Sequence, residues 1–195
     1  MNYKNSSTTP DSADIRNLPL ACDVVHRWAS ATPFAPALSD ASRSLDYRQL
    51  AQAVEEMARL LSSQGVVPGD RVLIVAENNI AAVVALFATQ SLNAWPAVVN
   101  ARLPSAEMDG MKALIEPRIS LYAVADSDAC EAQASKARAV PVEGLLAGPV
   151  ALSASDAPVS CEPPAHAADL NVGLLIFTSG TTGKPKAVMH SHSGL

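Results

Sequence analysis

The sequence predicts an α/β fold, a doubly wound and mostly parallel sheet with helices on both faces. Three observations carry that prediction. Short apolar runs that suit buried strands alternate with helical patterns, and tight turns join them, the signature of parallel βαβ units. The 195 residues are 49% hydrophobic, enough for a chain of this size to bury roughly 70% of its unfolded surface. Cys22, Cys130 and Cys161 are odd in number and form no CxxC pair, so neither a disulfide framework nor a zinc site is expected to hold the fold together.

The elements follow in order. Met1–Asn17 is rich in Asn, Ser, Thr, Pro and Asp and reads as a disordered lead-in, leaving residues 18–195 as the folded unit. Leu20, Val24, Val25, Trp28 and Ala29 fall at helical spacing over Leu20–Ser30. Pro36–Leu38 and Arg43–Leu45 flank a turn and suit a short hairpin. Asp46 and Gln49 have capping-box spacing, and Leu50, Val54, Met57, Ala58 and Leu61 form one apolar helix face that Gly65 stops. Arg71–Val75 is then a buried strand.

The alternation repeats with a helix over Ile80–Ser91 and a strand over Trp95–Val99. A helix capped by Ser105 runs to about Ile115, before Pro117. Ile119–Val124 is a strand, Ser127–Ala137 a helix with Asp126 and Asp128 at its N-terminus, and Ala139–Val142 a short strand. Residues 146–168 hold no period and read as a linker or long loop. Val172–Phe177 is a further buried strand. Trp28 and Trp95 are expected in the core, and His26 and His166 at the surface.

Charge and hydropathy narrow the function. Fourteen Lys and Arg against 19 Asp and Glu give a formal charge of −5, which argues against a general nucleic-acid surface. The longest apolar run, Ile80–Ala88, is about half of what a membrane span requires. Met1–Arg16 is polar and lacks the apolar core of a secretory signal, so a reduced, cytoplasmic setting is expected.

The chemistry concentrates in Thr178–Lys186, directly after the last buried strand. These nine residues hold four hydroxyls, two glycines and two lysines. Gly180 and Gly183 let the backbone approach an anion closely, and consecutive N–H groups in such turns cradle phosphate oxygens. Ser179, Thr181 and Thr182 add donors, and Lys184 and Lys186 add positive charge to an acidic chain. Only two residues separate Gly180 from Gly183, and Pro185 follows Lys184, so this is neither a Walker loop nor a GxGxxG fingerprint.

The stretch from Phe177 to Val188 resembles the phosphate-loop signature of the adenylate-forming superfamily, with Ala187 where that family usually has glycine. Leu45–Leu50, Gly65–Val72, Asn78-Asn79 and Asn100–Leu103 resemble the family's upstream segments in order. The likeness runs from about Leu20 to Leu195 and identifies the chain with the first part of the large N-terminal AMP-binding domain.

The resemblance implies a two-step ligase. ATP with Mg²⁺ and a carboxylic acid give an acyl-adenylate and pyrophosphate, and the acyl group then passes to coenzyme A. Thr178, Ser179, Gly180, Thr181, Thr182 and Gly183 become phosphate contacts, with Lys184 beside them at a variable position. Lys186 becomes the catalytic lysine of the loop. Family members are more than twice this long, and their remaining N-terminal part and lid domain are not represented here. The fragment is therefore expected to be inactive alone and to self-associate through its uncovered face. The alternative is a truncated relative acting as a non-catalytic binding or interaction module. His190 and His192 alternate on the strand expected over Ala187–Ser191, but no carboxylate or cysteine accompanies them, so no metal site is expected.

Overall fold

The computed structural model describes residues 20–154, 171–179 and 185–195. The expected lead-in, Cys161, His166 and most of the expected loop lie outside them. Helix α1 (Asp23–Ala31) leads into a hairpin of β1 (Pro36–Ser39) and β2 (Ser44–Asp46). Trp28 is half-buried rather than fully enclosed, and its ring stacks on Tyr47 at 5.6 Å between centroids.

The long helix α2 (Tyr47–Ser63) starts where its capping box predicts. Asp46 accepts from the Gln49 amide at 2.7 Å, and the Gln49 side chain accepts from the Asp46 amide at 3.0 Å. Two N–H groups that the helix itself cannot pair are thereby satisfied. At the other end Gly65 takes φ +81°, the left-handed turn that a side chain would resist.

Strand β3 (Arg71–Ala76), helix α3 (Ile80–Ser91), strand β4 (Trp95–Asn100), helix α4 (Ser105–Ile115) and strand β5 (Ile119–Tyr122) continue the alternation. Helix α5 (Asp128–Lys136), β6 (Val140–Val142), β7 (Val150–Ala154), β8 (Val172–Ser179) and β9 (Pro185–Ser191) complete it, with a 3₁₀ turn over His192–Gly194. The larger sheet runs β6-β7-β5-β3-β4-β8-β9. Its centre, β5-β3-β4-β8, is parallel as expected. Antiparallel strands flank that centre on both sides, so the sheet as a whole is mixed.

Strand alternation divides the core in two. Val72, Ile74 and Ala76 of β3 join Leu50, Val54, Met57 and Leu61 of α2 and Ile80, Val84 and Ala88 of α3 on one face. Leu73 and Val75 join Met108, Met111 and Ile115 of α4 and Cys130 and Ala134 of α5 on the other. Helices therefore cover both faces. Burial pushes the thiols of Cys22 and Cys130 up to about 12, and the Cys130 thiol donates to the Val75 carbonyl.

Two expectations need correction. Residues 146–168 are not loop throughout, because Val150–Ala154 pairs between β5 and β6, and its Val150, Ala151 and Leu152 are buried. Nothing local marks that segment; its strand character comes from the partners on either side. Ser105 does not cap α4 either: Pro104 holds the cap position, and its preset φ of −56° starts the helix without a side-chain bond.

Candidate active-site edge

The three parallel strands β3, β4 and β8 all end at one edge of the sheet, where ligands bind in open α/β folds. Ala97 is registered with Leu175, so three residues further on Asn100 and Thr178 reach that edge side by side. The chain then returns along β9. Thr178 pairs with Lys186 and Ser179 with Pro185, so a two-stranded hairpin closes the segment between them. Thr178 and Lys186 are both exposed, and Lys186 makes no ion pair among the described residues.

Of the residues singled out in the sequence, the structure therefore places Thr178, Lys186 and the backbone of Ser179 at the mouth of this hairpin. Gly180, Thr181, Thr182, Gly183 and Lys184 lie outside the described residues. The Thr178 hydroxyl, at the carboxyl end of β8, and the Lys186 ammonium across from it are a donor set that fits a polyanion. Among the described residues no group of three or more His, Cys, Asp or Glu could hold a metal ion.

Beside the hairpin lies a groove of about 590 Å³ between the ends of β3 and β4 and the first turns of α3. Leu38, Val83, Leu86 and Val98 give it an apolar side, and Glu77, Asn78 and Asn100 a polar one. Glu77 accepts from Arg102 Nε at 2.5 Å and from the Ser127 hydroxyl at 2.7 Å. Those bonds, Ser127 first and Arg102 next, hold the Glu77 carboxyl below its ordinary range.

Asn79 is used up structurally. It caps Ala82 and donates to the carbonyls of Ala123 and Ala125. Asp40, at the tip of the β1–β2 hairpin, accepts from the amides of Ile80, Ser42 and Arg43. Partial desolvation works to raise the Asp40 carboxyl, but the three amides together outweigh it and leave the group lowered. The Glu77, Arg102 and Ser127 cluster was not foreseen from the sequence. Its members are 25 and 50 residues apart, and only the strand order brings them together.

His190 lies on β9 and is half-buried, whereas His192 lies beyond the strand. β9 ends at Ser191, and His192 turns off it into the 3₁₀ turn, where it is buried and accepts from the Ala21 amide. His26 is exposed, as expected.

The profile of AMP-binding enzymes matches residues 25–195, most of the chain. The chain belongs to the AMP-binding enzyme family. Feruloyl-CoA synthase from an Amycolatopsis species is 34% identical over 180 residues, which cover 87% of this chain and 33% of that protein. The antimetabolite synthetase AmbE of Pseudomonas aeruginosa is 32% identical over 183 residues, covering 94% of this chain and 8% of that protein. A medium/long-chain fatty acid–[acyl-carrier-protein] ligase, FadD10 of Mycobacterium tuberculosis, is 30% identical over 174 residues and is spanned to 32% of its length.

Among solved structures, a fatty acyl-adenylate ligase from L. pneumophila superposes with a TM-score of 0.65 at 20% identity, covering 94% of this chain and 32% of that one. The N-terminal subdomain of NpsA from Klebsiella oxytoca gives 0.61 at 23% identity, covering 90% and 41%. These likenesses show the fold. The AMP-binding chain described here thus spans about a third of the length of its stand-alone ligase relatives. No helix among the described residues is long and apolar enough to cross a membrane.

Proposed function

We propose that this chain carries the polyphosphate-binding hairpin of an adenylate-forming ligase that joins a carboxylic acid to coenzyme A in the cytoplasm. The observation that carries the proposal is the hairpin itself: it follows a parallel strand and sets Thr178 opposite Lys186 at the carboxyl edge of the sheet. Thr178, Ser179, Gly180, Thr181, Thr182 and Gly183 bind the β- and γ-phosphates of ATP, with Lys184 beside them in sequence at a variable position. Lys186 neutralises charge that builds up as pyrophosphate leaves, which is where a fixed cation lowers a barrier most. A magnesium ion brought by the nucleotide would add to the neutralisation of phosphate charge that Lys186 supplies. Feruloyl-CoA synthase supports coenzyme A as the acyl acceptor, while the fatty acid–[acyl-carrier-protein] ligase favours a carrier thiol as the second choice.

Inorganic tripolyphosphate tests the site without any adenine contact. In ¹⁵N-resolved NMR of the 195-residue chain, it is expected to shift the amides of residues 178–186 and to leave α2 and β5 unchanged. Lys186→Ala is expected to weaken the interaction about tenfold, the size of one charge-assisted contact. Shifts spread over the surface, or none in the hairpin, would contradict the assignment.

A further inference from the structure

His192 sits where three separate parts of the chain meet. It is 6% exposed, and its Nδ1 accepts from the backbone amide of Ala21 at 3.0 Å, across 171 positions of sequence. A backbone N–H can only donate, so this bond requires Nδ1 to be unprotonated, with the ring proton on Nε2. The ring lies against Gly173 at the start of β8, where an added Cβ would fall 3.0 Å from Nδ1 and 2.7 Å from a Leu195 methyl. On the far side of Gly173, its carbonyl accepts from the buried Gln90 amide of α3 at 2.7 Å.

The buried Cys22 and Val25 anchor the segment entering α1, but beside Ala21 the packing is open. A cavity of about 600 Å³ lies between Leu20, Ala21 and Val24 on one side and Leu86, Phe87 and Leu174 on the other. Apolar packing across that gap is incomplete, so the Ala21–His192 bond adds to the attachment at this point.

We propose that His192 is a proton-operated latch: neutral, it clasps the start of α1 to the root of the β8–β9 hairpin, and protonated it releases it. An imidazolium has no acceptor at Nδ1, so protonation removes the Ala21 bond and strands a charge in an apolar pocket. Among the described residues Asp23 of α1 is the charged group acting on the ring, and its carboxylate favours protonation. From α3 and β8 the facing residues Leu86, Phe87, Gln90 and Leu174 carry no charge, and the neighbour on β9 is His190. Burial outweighs Asp23, so the His192 ring is lowered from its ordinary 6.5. The unfolded chain then binds the proton more readily than the folded one, so the latch is fully closed above about pH 6.5 and is lost as the pH falls below it. The latch stands whether or not the hairpin binds phosphate, and its test uses no nucleotide.

The test is hydrogen exchange at the Ala21 amide of the 195-residue chain, corrected for intrinsic rates, with the core amide of Leu73 as reference. Between about pH 7.5 and about pH 5.5 the protection of Ala21 is expected to fall about tenfold while that of Leu73 holds. In His192→Asn the Asn Oδ1 takes the place of Nδ1 but does not titrate, so protection of Ala21 is expected to be the same at both pH values. In His192→Ala it is expected to be low at both. Equal protection of Ala21 at both pH values in the unsubstituted chain would overturn the latch. So would an equal fall in His192→Asn, or loss of Leu73 protection in step with Ala21.

Discussion

Leu73→Ala is expected to cost about 3 kcal/mol of stability, read as a lower urea midpoint with an unchanged slope. Leu73 is fully buried in the central strand β3 and points into the core that α4 and α5 share. Truncation removes three carbons from water-free surroundings. It also leaves a cavity that neighbours on a hydrogen-bonded sheet cannot collapse to fill, which places the cost within the range of roughly 2–5 kcal/mol for such sites. Natural domains have only about 5–15 kcal/mol in total, so this one change removes a large fraction of it. Val140→Ala is the control. Val140 lies on the outermost strand and is 67% exposed, and its truncation is expected to change stability by less than about 0.5 kcal/mol. Equal effects at the two positions would contradict the placement of β3 at the centre of the sheet.

The second large effect is a loss of chemistry. With ATP, magnesium and a panel of carboxylic acids, these 195 residues alone are expected to give no ATP–pyrophosphate exchange above background. Adenylation needs the acid and the α-phosphate held in line, with donors already aimed at the charge that develops between them. On the proposed reading, the hairpin supplies contacts to one end of the nucleotide only. The residues described here span about a third of the stand-alone ligases they resemble, and positioning of both reactants is worth several powers of ten in rate. Exchange well above background with any acid in the panel would show that one sheet edge suffices, and the proposed division of labour would fail.

Much of this fold was legible because its signals are local. The Asp46 and Gln49 spacing gave a capping box that the hydrogen bonds reproduce on both sides. Arg71–Val75 read as a buried strand because Val72–Val75 are four successive apolar positions that suit burial on both faces, and β3 fills that role. The Thr178–Lys186 segment drew its functional reading for another reason. Its glycines, hydroxyls and lysines are concentrated in one segment, so composition and motif coincide.

What escaped the sequence was set by tertiary partners. Val150–Ala154 has a plain composition and becomes a strand only because β5 and β6 lie ready on either side. Strand periodicity is the same for parallel and antiparallel neighbours, so the antiparallel margins of the sheet had no local signal. His192 was placed on the strand by extending its alternation, yet β9 stops one residue earlier and Ala21 supplies the histidine's partner. Left-handed backbone at Asn93, Glu116, Asp126 and Arg138 likewise shows turns taken without glycine. Glu77 was invisible because Arg102 and Ser127, which orient it, arrive on different loops.

The central claim is that these residues grip the phosphates of ATP and little else of it. Parallel calorimetric titrations with Mg²⁺–ATP and with magnesium tripolyphosphate test it most directly. The account predicts weak binding of both, with ATP gaining no more than about threefold over tripolyphosphate, less than about 1 kcal/mol. A micromolar dissociation constant for ATP, tighter than that for tripolyphosphate by tenfold or more, about 1.4 kcal/mol, would contradict it.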